Sequence, residues 1–142
     1  MSRPKRLWAV FLVNVATGLI TLAACGFLLA KSLPFARVLI FSFAPTIVLC
    51  AVLIASSIVA FIGSGRSRWI ALGTAILFFG SSFIQGLWSY YHPTPPLQDM
   101  SAIAPSIERN ALCIVLNLWG FLSEKTDAFV DTVASRTPRG AT

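Results

Sequence analysis

The chain has 142 residues, of which 56% are hydrophobic and only 11% are charged, whereas an average soluble domain carries roughly 25% charged residues. This composition and a mean hydropathy of +0.80 exclude an ordinary soluble fold. The formal net charge of +6 does not indicate nucleic-acid binding, because the eleven Lys and Arg residues lie at the ends of apolar segments rather than in one patch.

The first apolar segment covers residues 7–30 and follows Arg3, Lys5 and Arg6. As a helix it is long enough to cross a bilayer. A lipoprotein signal peptide is the alternative, because residues 22–25, Leu-Ala-Ala-Cys, match a bacterial lipobox. The apolar core of a secretory signal is about 7–15 residues long. Here the apolar sequence continues past Cys25 to residue 30, which favours an uncleaved span.

Small and polar residues recur at helical spacing within this segment, namely Asn14, Thr17, Gly18, Thr21 and Cys25. Spacings of three and four place them on one helix face. Small residues let membrane helices approach closely, and a buried amide finds a partner across the contact. We therefore predict a face that packs on another helix. The alternative is a polar path lined by these side chains.

Two further uncharged segments, residues 38–62 and 69–91, flank a short stretch with two glycines, Arg66 and Arg68. The pattern predicts two spans joined by a sharp reversal at the membrane surface. Pro45 lies inside the first of these spans. Because proline has no N–H to donate to the carbonyl of Phe41, it predicts a kink or a late helix start.

The third span contains small and polar residues that fit a second packing face, with Ser82 and Gly86 in a small-xxx-small pattern and Gln85 beside them. Gln85 is also a candidate for lining a path. Trp88 follows near the end of the span, whereas Trp8 and Trp69 begin the first and third spans. Tryptophans settle at membrane interfaces, so these three anchor the register of the helices.

The last apolar segment is shorter. Pro105 is placed to open a helix, and residues 105–122 are predicted as a fourth span, although only residues 111–122 are free of charge. A re-entrant or surface-lying helix is the alternative. Asn117 is the sole strongly polar residue of the uncharged part. Residues 123–134 are predicted as an amphipathic surface helix, and residues 135–142 as a disordered tail.

Basic residues predict the orientation. With a cytoplasmic N-terminus and four spans, eight lie inside and three outside. The inner set is Arg3, Lys5, Arg6, Arg66, Arg68, Lys125, Arg136 and Arg139, and the outer set is Lys31, Arg37 and Arg109. The positive-inside rule therefore favours cytoplasmic N- and C-termini, in a bacterial inner membrane.

The sequence shows no pattern of a catalytic or metal site. Cys25, Cys50 and Cys113 lack metal-ligand spacing, and His92, the sole histidine, is predicted to be a solvated loop residue. The five acids are not paired with His92 at a useful spacing. We therefore expect no enzyme activity, no cofactor and no bound metal.

The expected fold is a single all-α membrane domain, an antiparallel bundle of three to four transmembrane helices with a short amphipathic C-terminal helix. No Asp, Glu, Lys, Arg or His lies within the first three spans, which argues against ion-coupled transport. We expect a structural or accessory subunit that contacts lipid and associates with other membrane subunits or with itself through its small-residue faces. The alternative is an oligomeric passive channel or uncoupled small-solute carrier.

Overall fold

The computed structural model of the chain describes residues 4–31, 36–62, 65–92 and 100–136. Five helices follow one another: α1 Lys5–Lys31, α2 Ala36–Ile62, α3 Gly65–Tyr91, α4 Met100–Phe121 and α5 Glu124–Arg136. The described residues contain no strand. The prediction of an all-helical fold is confirmed for this part of the chain.

Within the described residues, three helical stretches are long and apolar enough to cross a membrane, Lys5–Lys31, Phe43–Ile62 and Arg66–Tyr91. They coincide with the first three predicted spans. Helix α4 is not one of them. It has 22 residues, which as a helix reach about 33 Å, but Glu108 and Arg109 lie in its first half. The fourth span therefore stays a prediction.

Helices α1 to α4 alternate in direction along the bundle. Trp8 of α1 lies against Phe61 of α2, with ring centroids 4.6 Å apart, and a Cβ added to Gly18 would lie 2.7 Å from Ile54 Cγ1. Helices α3 and α4 share an extensive interface, and α1 also contacts α4, which closes the four helices into a bundle. We call the end with the starts of α1 and α3 the basic end, and the other the far end.

The core has two clusters of buried side chains. The cluster at the basic end draws on all five helices and consists of Leu7, Val10, Ala60, Ala71, Leu72, Phe121, Phe129 and Val130. The second cluster lies nearer the middle and consists of Cys50, Leu53, Ala75, Phe78 and Phe79. Because Phe129 and Val130 belong to α5, this helix covers the basic end of the bundle and is not a detached surface segment.

One expectation about prolines is wrong, and another is narrowed. Pro105 does not open α4, which begins at Met100. The ring of a proline crowds the carbonyl four residues earlier, here that of Ser101 in the first turn, so the helix accommodates it near its start. Pro45 lies inside α2, which begins at Ala36, so of the two predicted outcomes the late helix start is excluded and the kink stays a prediction.

Helix boundaries also differ from the sequence predictions elsewhere, including the start of α3 and the end of α5. Arg66 and Arg68 belong to α3, which begins at Gly65, and not to a loop. Ser135 and Arg136, predicted as part of a disordered tail, are the last residues of α5. The rest of that tail, residues 137–142, lies outside the described residues.

Candidate functional site

The strongest polar feature of the bundle is a buried amide pair. Asn14 of α1 donates from Nδ2 to Oδ1 of Asn117 in α4 at 2.8 Å, and Asn117 Nδ2 donates back to Asn14 Oδ1 at 3.0 Å. Both side chains have an exposed fraction of 0%. Two asparagines 103 positions apart in the sequence thus hold α1 and α4 together.

The remaining amide hydrogens also have acceptors. Asn14 Nδ2 donates to the hydroxyl oxygen of Ser57 in α2 at 3.2 Å, and Asn117 Nδ2 donates to the carbonyl oxygen of Cys113 at 2.9 Å. An asparagine side chain offers two donors and one carbonyl oxygen, and every one of these groups is engaged here. We call Asn14, Ser57 and Asn117 the amide network. It leaves no amide donor for water or a solute.

Glycines bring the helices close on either side of this network. A Cβ at Gly18 would meet Ile54 of α2, and one at Gly120 of α4 would overlap the side chain of Val10. Gly86 of α3 has the same role toward α4, because a Cβ there would lie 2.8 Å from Ile107 Cγ1. These three glycines therefore serve contacts inside the bundle.

The other predicted packing or path-lining residues lie apart from the network. Thr17 and Thr21 of α1 are half-buried, and so is Ser82, whose hydroxyl donates to the carbonyl of Phe78 at 3.0 Å. Gln85 is exposed on the outer surface of α3. The structure therefore does not bring Gln85 into one site with Asn14.

Sequence reasoning missed the role of Ser57. Residues 56 and 57 are both serines in an apolar helix, and the sequence alone does not tell which one bonds across the bundle. In the structure Ser56 bonds its own helix, at the carbonyl of Leu53. The pairing of the two asparagines had a usable signal, since each is the strongly polar residue of an otherwise apolar segment.

A second polar cluster lies at the basic end. Arg68 of α3 forms an ion pair with Asp127 of α5, and Arg6 of α1 donates to the Ser123 hydroxyl at 3.4 Å. The Arg6 guanidinium also lies 4.4 Å from the ring centroid of Trp119. We call Arg6, Arg68, Ser123 and Asp127 the basic-end clamp, because it holds the start of α5 to two other helices.

The predicted topology anchors occupy different environments. Arg66 is exposed, whereas the Arg68 side chain is only 11% exposed and is ion-paired. Trp8, Trp69 and Trp88 are exposed by 44%, 56% and 66%. Such exposure at the ends of helices agrees with an interfacial position for the three rings.

Within the described residues, no group of three or more His, Cys, Asp or Glu side chains could hold a metal ion. His92 is exposed, and its ring stacks on Trp88 with centroids 4.0 Å apart. The three cysteines are free thiols. The polar contacts between helices in this part of the chain include the amide network and the basic-end clamp.

No protein-family model matches the chain, and neither a curated protein nor a solved structure matches it significantly.

Proposed function

We propose that this chain is an integral membrane protein without catalytic activity that serves as a structural or accessory subunit of a larger membrane assembly. The observation that carries the proposal is the closed amide network. Its four amide N–H donors are all used within the bundle, so Asn14 and Asn117 stabilise the packing of the helices and offer no amide donor at the outer surface.

That outer surface has small-residue hollows that the chain itself does not fill. A Cβ added at Gly73 or Gly80 of α3 would meet nothing within 4 Å. The two glycines are seven residues apart and therefore lie on one face, between the exposed side chains of Ile70, Leu77 and Ile84. Membrane helices associate through such alternation of small and large residues, so this face of α3 is the proposed contact with a partner subunit.

Association through α3 can be tested by filling the hollows. Gly73→Leu and Gly80→Leu are expected to abolish co-purification of a partner, or self-association measured by energy transfer between labelled chains in bilayers. Gly26→Leu is the matched control, because Gly26 of α1 also has open space around it. Loss of association in the control alone would place the contact on α1. If the unmodified chain is itself a monomer and co-purifies with no partner, the proposal is contradicted.

An oligomeric passive channel is the second candidate, and one observation favours it. Gln85 and Ser81 are exposed on α3, so copies arranged around an axis could bring these polar groups to a shared path. Gln85→Leu would then abolish solute flux into vesicles without changing the stability of the protein. Flux that is absent in the unmodified chain, or unaffected by the substitution, excludes this function.

A further inference from the structure

The cations at the basic end fall into two groups. Arg6 and Arg68 are engaged by the clamp, through Ser123 and Asp127. Lys5, Arg66 and Lys125 are exposed, and none of the three has an anionic partner in the part of the chain that the structure describes. The clamp therefore leaves three free positive charges around itself.

These three cations lie at the same end of the bundle. Lys5 adjoins Arg6, Arg66 is two residues before Arg68, and Lys125 lies between Ser123 and Asp127. Each is thus within two residues of a clamp contact. Because the clamp joins α1, α3 and α5, cations from three helices meet at one end of the bundle.

Two exposed tryptophans lie close in sequence to these cations. Trp8 lies one turn after Lys5 on α1, and Trp69 lies three residues after Arg66 on α3, with exposed fractions of 44% and 56%. The guanidinium of Arg68 lies 4.9 Å from the ring centroid of Trp69. Indole rings prefer the headgroup region of a bilayer, which places the free cations at the depth of lipid phosphates.

We infer that the basic end binds the headgroups of anionic phospholipids through Lys5, Arg66 and Lys125, with Trp8 and Trp69 seated beside them. Charge complementarity supports this partner. Among the described side chains at this end, five are basic, namely Lys5, Arg6, Arg66, Arg68 and Lys125, and three are acidic, namely Glu124, Asp127 and Asp131. One of these acids is already paired with Arg68. The inference rests on the membrane insertion proposed above.

Brominated lipids provide the test, because bromine on an acyl chain quenches a tryptophan that the lipid contacts. The full chain with Trp88→Phe retains Trp8, Trp69 and Trp119, which all lie toward the basic end. It is placed in phosphatidylcholine bilayers that contain the same mole fraction of brominated phosphatidylglycerol or brominated phosphatidylcholine. We expect stronger quenching by the anionic lipid, weakening as salt screens the charges.

Substitutions of cations distinguish lipid binding at this site from a general effect of net charge. Each cation near an anionic surface contributes about a five-fold gain in affinity, so Arg66→Gln is expected to lower the preference by up to about that factor, and Lys5→Gln/Arg66→Gln/Lys125→Gln to abolish it. The matched control replaces the three cations toward the far end, Lys31→Gln/Arg37→Gln/Arg109→Gln, and retains the preference. The replaced side chains at the basic end are exposed, so the fold is expected to persist, as circular dichroism would show.

Three outcomes would overturn the inference. Equal quenching by the two brominated lipids shows that the unmodified chain has no preference. Equal loss in both triple variants shows that net charge, and not this site, attracts the lipid. A preference that survives the basic-end variant assigns it to other residues. Absence of quenching by either lipid is a different failure, since it contradicts membrane insertion itself.

Discussion

At the scale of single residues, the amide network shows how an apolar bundle accommodates polar side chains. A buried amide without partners is costly in an apolar environment, whereas a bonded one is not. Asn14 and Asn117 satisfy each other, and each second N–H has its own acceptor. The pair therefore fixes the register of α1 against α4, since displacement by one residue would leave both amides without their hydrogen-bond partners.

Removing both amides should consequently cost less than the sum of the two single removals. Asn14→Leu or Asn117→Leu is expected to lower the stability of the detergent-solubilised protein by about 1 to 2 kcal/mol. The double variant should cost less than the sum, because no unpaired amide remains. Thermal unfolding of the four proteins measures this coupling. Gln85→Leu is the control, since Gln85 is exposed, and additive losses would contradict a direct pair.

Alanine substitutions at two glycines are expected to change the stability in opposite directions. Gly120→Ala places a Cβ against the side chain of Val10 and 3.4 Å from the carbonyl oxygen of Arg6, an overpacked contact that costs typically 1–3 kcal/mol. Gly73→Ala meets nothing within 4 Å and should raise helix stability by up to about 1 kcal/mol. Unfolding midpoints in detergent distinguish them, and equal effects would contradict the close contact of α1 and α4.

At the scale of elements, uncharged length was sufficient to predict α1, α2 and α3, because a helix is the way a long apolar segment satisfies its backbone. Boundaries were predicted less well where polar residues participate in tertiary contacts. Arg68 was interpreted as a loop cation, but its ion pair with Asp127 depends on how α5 folds back. Local sequence does not contain that information, and the same holds for the choice between Ser56 and Ser57.

Helix α5 supplies a test of the clamp. Among residues 124–133, its buried side chains are Thr126, Phe129 and Val130, and the Arg68 pair adds an electrostatic contact. Asp127→Asn is expected to increase hydrogen exchange and proteolysis within α5, with a stability loss of about 1 kcal/mol, between the exposed and buried limits for ion pairs.

Asp131→Asn is the matched control for this prediction, because Asp131 lies on the same helix and is exposed. Exchange in α5 should remain unchanged in the control. If both substitutions accelerate exchange equally, the net charge of α5 and not the pair with Arg68 holds the helix. If neither does, burial of Phe129 and Val130 alone is sufficient.

At the scale of the whole molecule, the arrangement places the start and the end of the described chain at the same end of the bundle. Arg6 near the start of α1 contacts Ser123 just before α5, while Gly86 and Ile107 bring α3 and α4 together nearer the far end. Helix α4 thus returns the chain from the far end to the basic end. Hydropathy alone does not decide whether α4 crosses the membrane, because Glu108 and Arg109 interrupt its apolar sequence. Asn14, which is hydrogen-bonded to Asn117 of α4, lies within an apolar span.

This geometry leads to the prediction that the C-terminus is cytoplasmic. If α1 crosses the bilayer, Asn14 lies nine residues, or about 14 Å, from the start of that helix, and Asn117 must lie at the same depth. Arg109 donates to Ser106 Oγ at 3.5 Å, so its side chain extends toward the far end. A snorkelling side chain would extend in the same direction to reach the headgroups. A reporter active only in the cytoplasm should therefore function after Thr142, and a periplasm-active one after Gln98, before α4. Activity of the periplasmic reporter at both positions would mean that α4 does not cross and that only three helices span.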